Sequence, residues 1–132
     1  MAEFDRLAAV QKQAEDLADR IEFIPNATLE VLKEIRLGMF FVMAFWSGPS
    51  RQAFGKLIEV VREHDLEDKL RVIVADTDCI PEFYETPPYK GQFHGWGETF
   101  WVKDGVVISD SGIGLNLDCI KPNTLELLEL AG

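Results

Sequence analysis

The sequence is short of the residues that carry much enzyme chemistry. Among its 132 residues are only two cysteines, Cys79 and Cys119, and two histidines, His64 and His94. The cysteines form neither a metal-ligand pattern nor a disulfide framework, and nothing in the sequence requires a bond between them. Neither histidine is tied by sequence to a nucleophilic serine in a Gly-x-Ser-x-Gly turn, so Ser-His-Asp chemistry has no support. Positive charge is scarce as well. Thirteen Lys and Arg face 23 Asp and Glu, a formal net charge of −10. That balance argues against nucleic acid and anionic membrane as partners, because both would repel the chain. No apolar run reaches the roughly 20 residues that a membrane span needs. The opening residues, Met-Ala-Glu-Phe-Asp-Arg, have neither the basic start nor the apolar core of a secretory signal. We therefore expect a cytoplasmic protein with reduced thiols. No internal repeat or low-complexity linker divides the chain, and no pair of acids is singled out by an apolar setting for hydrolytic work.

The composition that remains, 47% hydrophobic and 27% charged, is that of a folded domain with a proper core. Its centre of gravity is residues 39–58. An apolar run from Met39 to Trp46 reads as a buried strand, broken at Ser47-Gly48-Pro49-Ser50. Phe54, Leu57, Ile58 and Val61 then recur at helical spacing to about His64. Ser47 suits a helix cap, Gly48 permits the turn, and Pro49 fits the first helical turn, where its missing N–H costs nothing. The same turn could instead use its free N–H groups and hydroxyls to hold an anion, a carboxylate or a thiol ligand.

Around this centre the pattern alternates. Residues 3–20 predict an amphipathic helix with Phe4, Leu7, Ala8, Ala14, Leu17 and Ala18 on one face. A short strand is predicted at 21–24. Asn26 then caps a helix over 28–37 that buries Leu29, Leu32 and Ile35 and stops at Gly38. A second buried strand runs over 70–75 towards Asp76-Thr77-Asp78, a short helix over 81–85, and a Pro- and Gly-rich loop follows. Strands at 99–103 and 106–109 flank Asp104-Gly105, the strongest hairpin signal in the chain. A last helix covers 124–130. The order β-α-β-α-β-α-β-β-α implies an α/β fold with parallel pairing in its first half.

Three marks resemble the thioredoxin family. Phe-Trp-Ser-Gly-Pro-Ser, residues 45–50, stands where thioredoxins carry Phe-Trp-Cys-Gly-Pro-Cys. A strand ending at Asp78 precedes a helix, and Val102-Lys103-Asp104-Gly105-Val106 looks like the family's C-terminal hairpin. The resemblance implies a thioredoxin-like domain spanning 1–132, its core at 21–132 behind an N-terminal helical extension at 1–20. It places a mixed central sheet between helices, and an insertion of about four residues in 85–92.

The departures bear on function. Ser47 and Ser50 stand where a dithiol pair would exchange with disulfides, and a hydroxyl does neither step of that reaction. The family's buried aspartate falls on Phe41 or Ala44. Its cis-proline falls on Gly97, where an ordinary trans peptide is expected, since a cis bond without proline costs roughly 2.5–4 kcal/mol. The expectation is a redox-inactive protein that needs no cofactor and binds a protein or peptide. The binding groove would comprise Trp46, Ser47, Gly48, Pro49, Ser50, Trp96, Gly97 and Glu98, with Phe93 and His94 beside it. Alternatives stay open. One is a thiol-disulfide oxidoreductase whose cysteines were replaced by serine, through engineering or recent loss. Another is a single-cysteine redox protein using Cys79, although Asp76 and Asp78 beside it would disfavour a thiolate. A third is a glutathione-type binder using Ser47.

Overall fold

A computed structural model describes residues 5–131. Five strands form one sheet: β1 (Ile21–Phe23), β2 (Leu37–Met43), β3 (Arg71–Asp76), β4 (Thr99–Lys103) and β5 (Val106–Asp110). Their order is β1-β3-β2-β4-β5. β3 lies parallel to both β1 and β2, and β4 turns the sheet mixed by pairing antiparallel with β2 and β5. Among the described residues there are five α-helices, α1 (Arg6–Ala14), α2 (Leu29–Glu34), α3 (Gly48–His64), α4 (Pro81–Glu85) and α5 (Ile120–Leu130), with short 3-10 segments between elements.

The unbroken apolar run of β2 follows from burial on both faces, the situation in which a strand has no reason to alternate. Met39, Phe41 and Met43 join Val72, Val74 and Trp101 under α1, α3 and α5. Phe40 and Val42 join Ile73, Ala75, Phe100 and Val102 under α2 and α4. On the second side Phe40 stacks on Phe83 at 5.2 Å, and Phe83 meets Phe93 edge-on at 6.2 Å. The third tryptophan, Trp101, is buried and donates from Nε1 to Thr124 Oγ1 at 3.0 Å, which pins α5 to the sheet.

Several boundaries differ from the sequence reading. The N-terminal helix stops at Ala14, where Glu15 turns to φ 54°, and continues as a 3-10 segment over Glu15–Arg20. The buried face also differs from the predicted one. Val10, Ala14 and Leu17 pack inward, whereas Leu7 and Ala8 are exposed, and Phe4 lies outside the described residues. α2 is shorter than predicted and begins after Thr28, leaving Asn26 exposed in a turn rather than capping it. Gly38 is not a helix terminator but a residue of β2. It is glycine because a Cβ there would fall 2.0 Å from the Arg71 carbonyl oxygen. β2 ends at Met43, so Trp46 sits in a turn, and β3 ends at Asp76, leaving Asp78 in a 3-10 turn over Thr77–Cys79. α5 starts at Ile120, ahead of Pro122, which is tolerated early in a helix because its missing N–H has no intrahelical partner there.

Candidate functional site

The turn after β2 and the turn after β3 open at the same end of the parallel strands, where open α/β sheets place their ligand sites. Ser47 caps α3. Its N–H donates to the Ala44 carbonyl at 2.9 Å, and its Oγ accepts from the Ser50 N–H at 3.4 Å. The same hydroxyl donates to the Gly95 carbonyl at 2.6 Å, tying the helix start to the 94–98 loop. Ser50 is fully buried. Its Oγ accepts from the Ala44 N–H at 2.9 Å and lies 3.5 Å from Met43 Sδ. The Arg51 N–H goes to the Ser47 carbonyl at 3.3 Å, and Pro49 has no N–H. Gly48 therefore holds the only first-turn amide of α3 without a partner among the described residues. Apart from that amide, the first-turn donors of the helix are internally satisfied.

The 94–98 loop closes over this turn. Glu98, 2% exposed, folds its carboxylate back beneath the loop, where Oε2 accepts from the His94 N–H at 3.0 Å and the Trp96 N–H at 3.3 Å. Its Oε1 is buried without a partner among the described residues. Gly97 has φ +80°, and a Cβ on it would lie 2.8 Å from Ala53 Cβ and 3.2 Å from Ser50 Cα. No side chain fits between this loop and α3. The one cis peptide among the described residues is Pro87–Pro88, in the preceding loop, so the bond leading into Gly97 is trans.

The predicted groove residues thus divide into two sets. Ser47, Ser50, Gly97 and Glu98 are buried and support the site from beneath. Trp46 and Trp96 are at the surface, 66% and 38% exposed, with Gly48 exposed and Pro49 half-buried beside them. The Trp46 ring lies against Gly95, and its Nε1 donates to Asp78 Oδ2 at 3.2 Å, so an exposed indole is held in one orientation. His94 is exposed, with Nε2 2.8 Å from the Gly91 carbonyl, while Phe93 packs into the core.

Both cysteines are free thiols. Arg6 of α1 reaches across to Asp76 and to Cys79, with NH1 3.2 Å from Sγ. Its guanidinium pKa is raised, chiefly by the bond to Asp76. Cys119 is half-buried, and burial pushes its thiol pKa up, with Asp110 and Asp118 acting in the same direction. No three His, Cys, Asp or Glu side chains converge as metal ligands among the described residues. Nor is any helix among them long and apolar enough to cross a membrane.

No family model and no curated protein sequence matches the chain. Solved structures do. Mitochondrial thioredoxin 3 of Saccharomyces cerevisiae, in its oxidised form, superposes with a TM-score of 0.60 over 82% of this chain and 96% of its own, at 17% identity. This is the thioredoxin fold. Plasmodium falciparum thioredoxin gives 0.59 at 16% identity, covering 80% of this chain and 97% of its own. A chain from a structure on thiol resolution in yeast mitochondrial 1-Cys peroxiredoxin via glutathione/thioredoxin systems gives 0.61 at 19% identity, covering 80% and 94%. This thioredoxin-like chain has two cysteines, 40 positions apart by subtraction of 79 from 119, and no Cys-x-x-Cys pair.

Sequence reasoning had no access to Gly95, Asp78 or Arg6 as members of the site. Gly95 could have been suspected from Gly95-Trp96-Gly97, a tryptophan between two glycines. The Ser47–Gly95 and Arg6–Cys79 contacts span 48 and 73 positions and exist only once the sheet has assembled.

Proposed function

We propose that this thioredoxin-like protein has no dithiol redox activity and binds a protein or peptide segment across Trp46 and Trp96, above the 47–50 turn. One observation carries the reading. Both motif hydroxyls are used up in internal hydrogen bonds, while the two tryptophans beside them stay exposed, the Trp46 indole held by its bond to Asp78. A hydroxyl that satisfies a buried backbone amide is a structural group, and a large rigid aromatic left at the surface is the residue type most often found as an interface anchor. The chemistry points the same way, since neither serine can form a mixed disulfide. With the Ser50 and Arg51 amides bonded internally and Pro49 lacking one, the start of α3 leaves an anion or glutathione carboxylate only the Gly48 N–H. Two free thiols fit the reducing interior of the cytoplasm.

The test is selection of a displayed random 12-residue peptide library on the immobilised protein, repeated with Trp46→Ala and Trp96→Ala variants. Peptides enriched on the natural chain and at least tenfold weaker on both variants would support the reading. Enrichment indifferent to both tryptophans would refute it.

The Arg6–Cys79 contact favours one second reading, in which Cys79 acts alone. Its thiolate would attack a disulfide, displacing one sulfur as a thiolate and leaving a mixed disulfide on Cys79. Incubation with oxidised glutathione followed by intact-mass measurement tests this. An adduct that forms on the natural chain and is lost in Cys79→Ser is required.

A further inference from the structure

Beside the groove, at the carboxyl end of β3, lies an open pocket of about 440 Å³ lined by Thr77, Asp78, Ile80, Pro81, Tyr84 and Glu85. Two acidic residues, Asp78 and Glu85, and no cationic one are among its lining. Asp78 accepts only a neutral indole N–H, from Trp46, and neither Asp78 nor Glu85 has an ion-pair partner among the described residues. The nearest acids are occupied otherwise. Asp76 is neutralised by Arg6, and Glu82 accepts from the Leu29 N–H. Tyr84 contributes a ring fixed from two sides, by a 2.6 Å bond between its hydroxyl and Thr77 Oγ1 and by Phe93 at 5.4 Å. The pocket thus combines unpaired negative charge, the apolar surface of Ile80 and Pro81, and a preorganised aromatic ring. A cationic side chain with a long apolar stem matches that lining: the stem packs on Ile80 and Pro81 while the head group meets a carboxylate and a ring face.

We infer that the segment bound across Trp46 and Trp96 is basic, and that a lysine or arginine of it enters this pocket between Asp78, Glu85 and Tyr84. The inference rests on the groove reading above and names the partner's chemistry. Asp78 is the link between the two, since it fixes the Trp46 indole and lines the pocket at once. The net charge of −10 adds attraction for a basic partner at longer range.

The same random-peptide selection decides the matter when run on three proteins. They are the natural chain, an Asp78→Asn/Glu85→Gln variant, and a control with an equal loss of charge on the exposed face of α5, Glu126→Gln/Glu129→Gln. The expected result is enrichment of Lys or Arg at a fixed position relative to the other selected residues. Synthetic peptides of the enriched sequence should bind the pocket variant at least fivefold more weakly and the α5 control within twofold of the natural chain. Replacing the fixed Lys or Arg by Gln should cost a similar factor on the natural chain and little on the pocket variant. Enriched peptides that depend on the tryptophans but carry no basic preference would overturn the basic-partner inference and leave the groove reading standing. Equal weakening by both charge-removing variants would overturn it too, because the attraction would then be diffuse. Absence of any enriched peptide would overturn both readings.

Discussion

Ser50, fully buried, accepts the Ala44 N–H with its Oγ, which makes it a structural residue at a position that reads as chemical. Ser50→Ala leaves that amide buried and unpaired, a loss of about 1–3 kcal/mol, to be read from urea unfolding. Ser47→Ala removes the cap and the bond to Gly95 and is expected to cost about 1 kcal/mol. Gly97→Ala is expected to exceed both, at about 3 kcal/mol, since a positive φ and a filled space against Ala53 and Ser50 act together. Cys119 supplies a dependence on pH. Its thiol holds its proton more tightly folded than unfolded, so its contribution to stability is fully present below the unfolded-state pKa and is lost as pH rises through the folded one. Melting curves between pH 7 and pH 10 should therefore show a smaller alkaline loss of stability in Cys119→Ala than in the natural chain. Alkylation at pH 8 should be slower at Cys119 than at a free cysteine.

Elements of this chain were legible wherever local pattern and tertiary setting agree. The Asp104-Gly105 hairpin, the doubly buried β2 and the α3 start are written in a few adjacent residues, and the structure has all three. Where the deciding contact is remote, pattern misleads. Gly38 looks like a helix stop but answers to the backbone of Arg71, 33 positions on by subtraction, and the inward face of α1 is set by the core that Val10 and Ala14 join. The site divides in the same way. The Ser47 cap can be read from Ser-Gly-Pro, whereas the burial of Ser50 and Glu98 and the pocket at Tyr84 follow from how loops meet. The 3-10 segment after α1 is held by Arg20, which pairs with the buried Asp65, and Asp65 in turn accepts from the Lys69 and Leu70 N–H groups at 2.9 and 2.8 Å. Arg20→Ala is expected to cost about 2 kcal/mol, discounted from a fully buried pair because the guanidinium is partly solvated. Hydrogen exchange should then localise the lost protection to residues 6–20. The 94–98 loop depends likewise on Glu98. Glu98→Ala should raise exchange at the His94 and Trp96 amides by at least tenfold, while β4 stays protected.

The whole molecule keeps the thioredoxin architecture and closes the place where that architecture usually presents a reactive pair. Residue 47 lies under the Gly95 carbonyl, 8% exposed, and residue 50 is sealed by the Ala44 amide and Ala53 below Gly97. The surface that remains available is the Trp46–Trp96 edge and the acidic pocket beside it. The most direct measurement is reduction of insulin disulfides, with dithiothreitol as electron donor, by the natural chain and by Ser47→Cys/Ser50→Cys. Circular dichroism and melting would confirm that both are folded. The natural chain should show no rate above dithiothreitol alone, and the double-cysteine protein no more than a few times that background, because the loop leaves the restored thiol no approach to a disulfide. Robust turnover by the natural chain would contradict the absence of redox activity outright. Robust turnover by the folded double-cysteine protein would contradict the closed groove and return the fold to thiol-disulfide exchange.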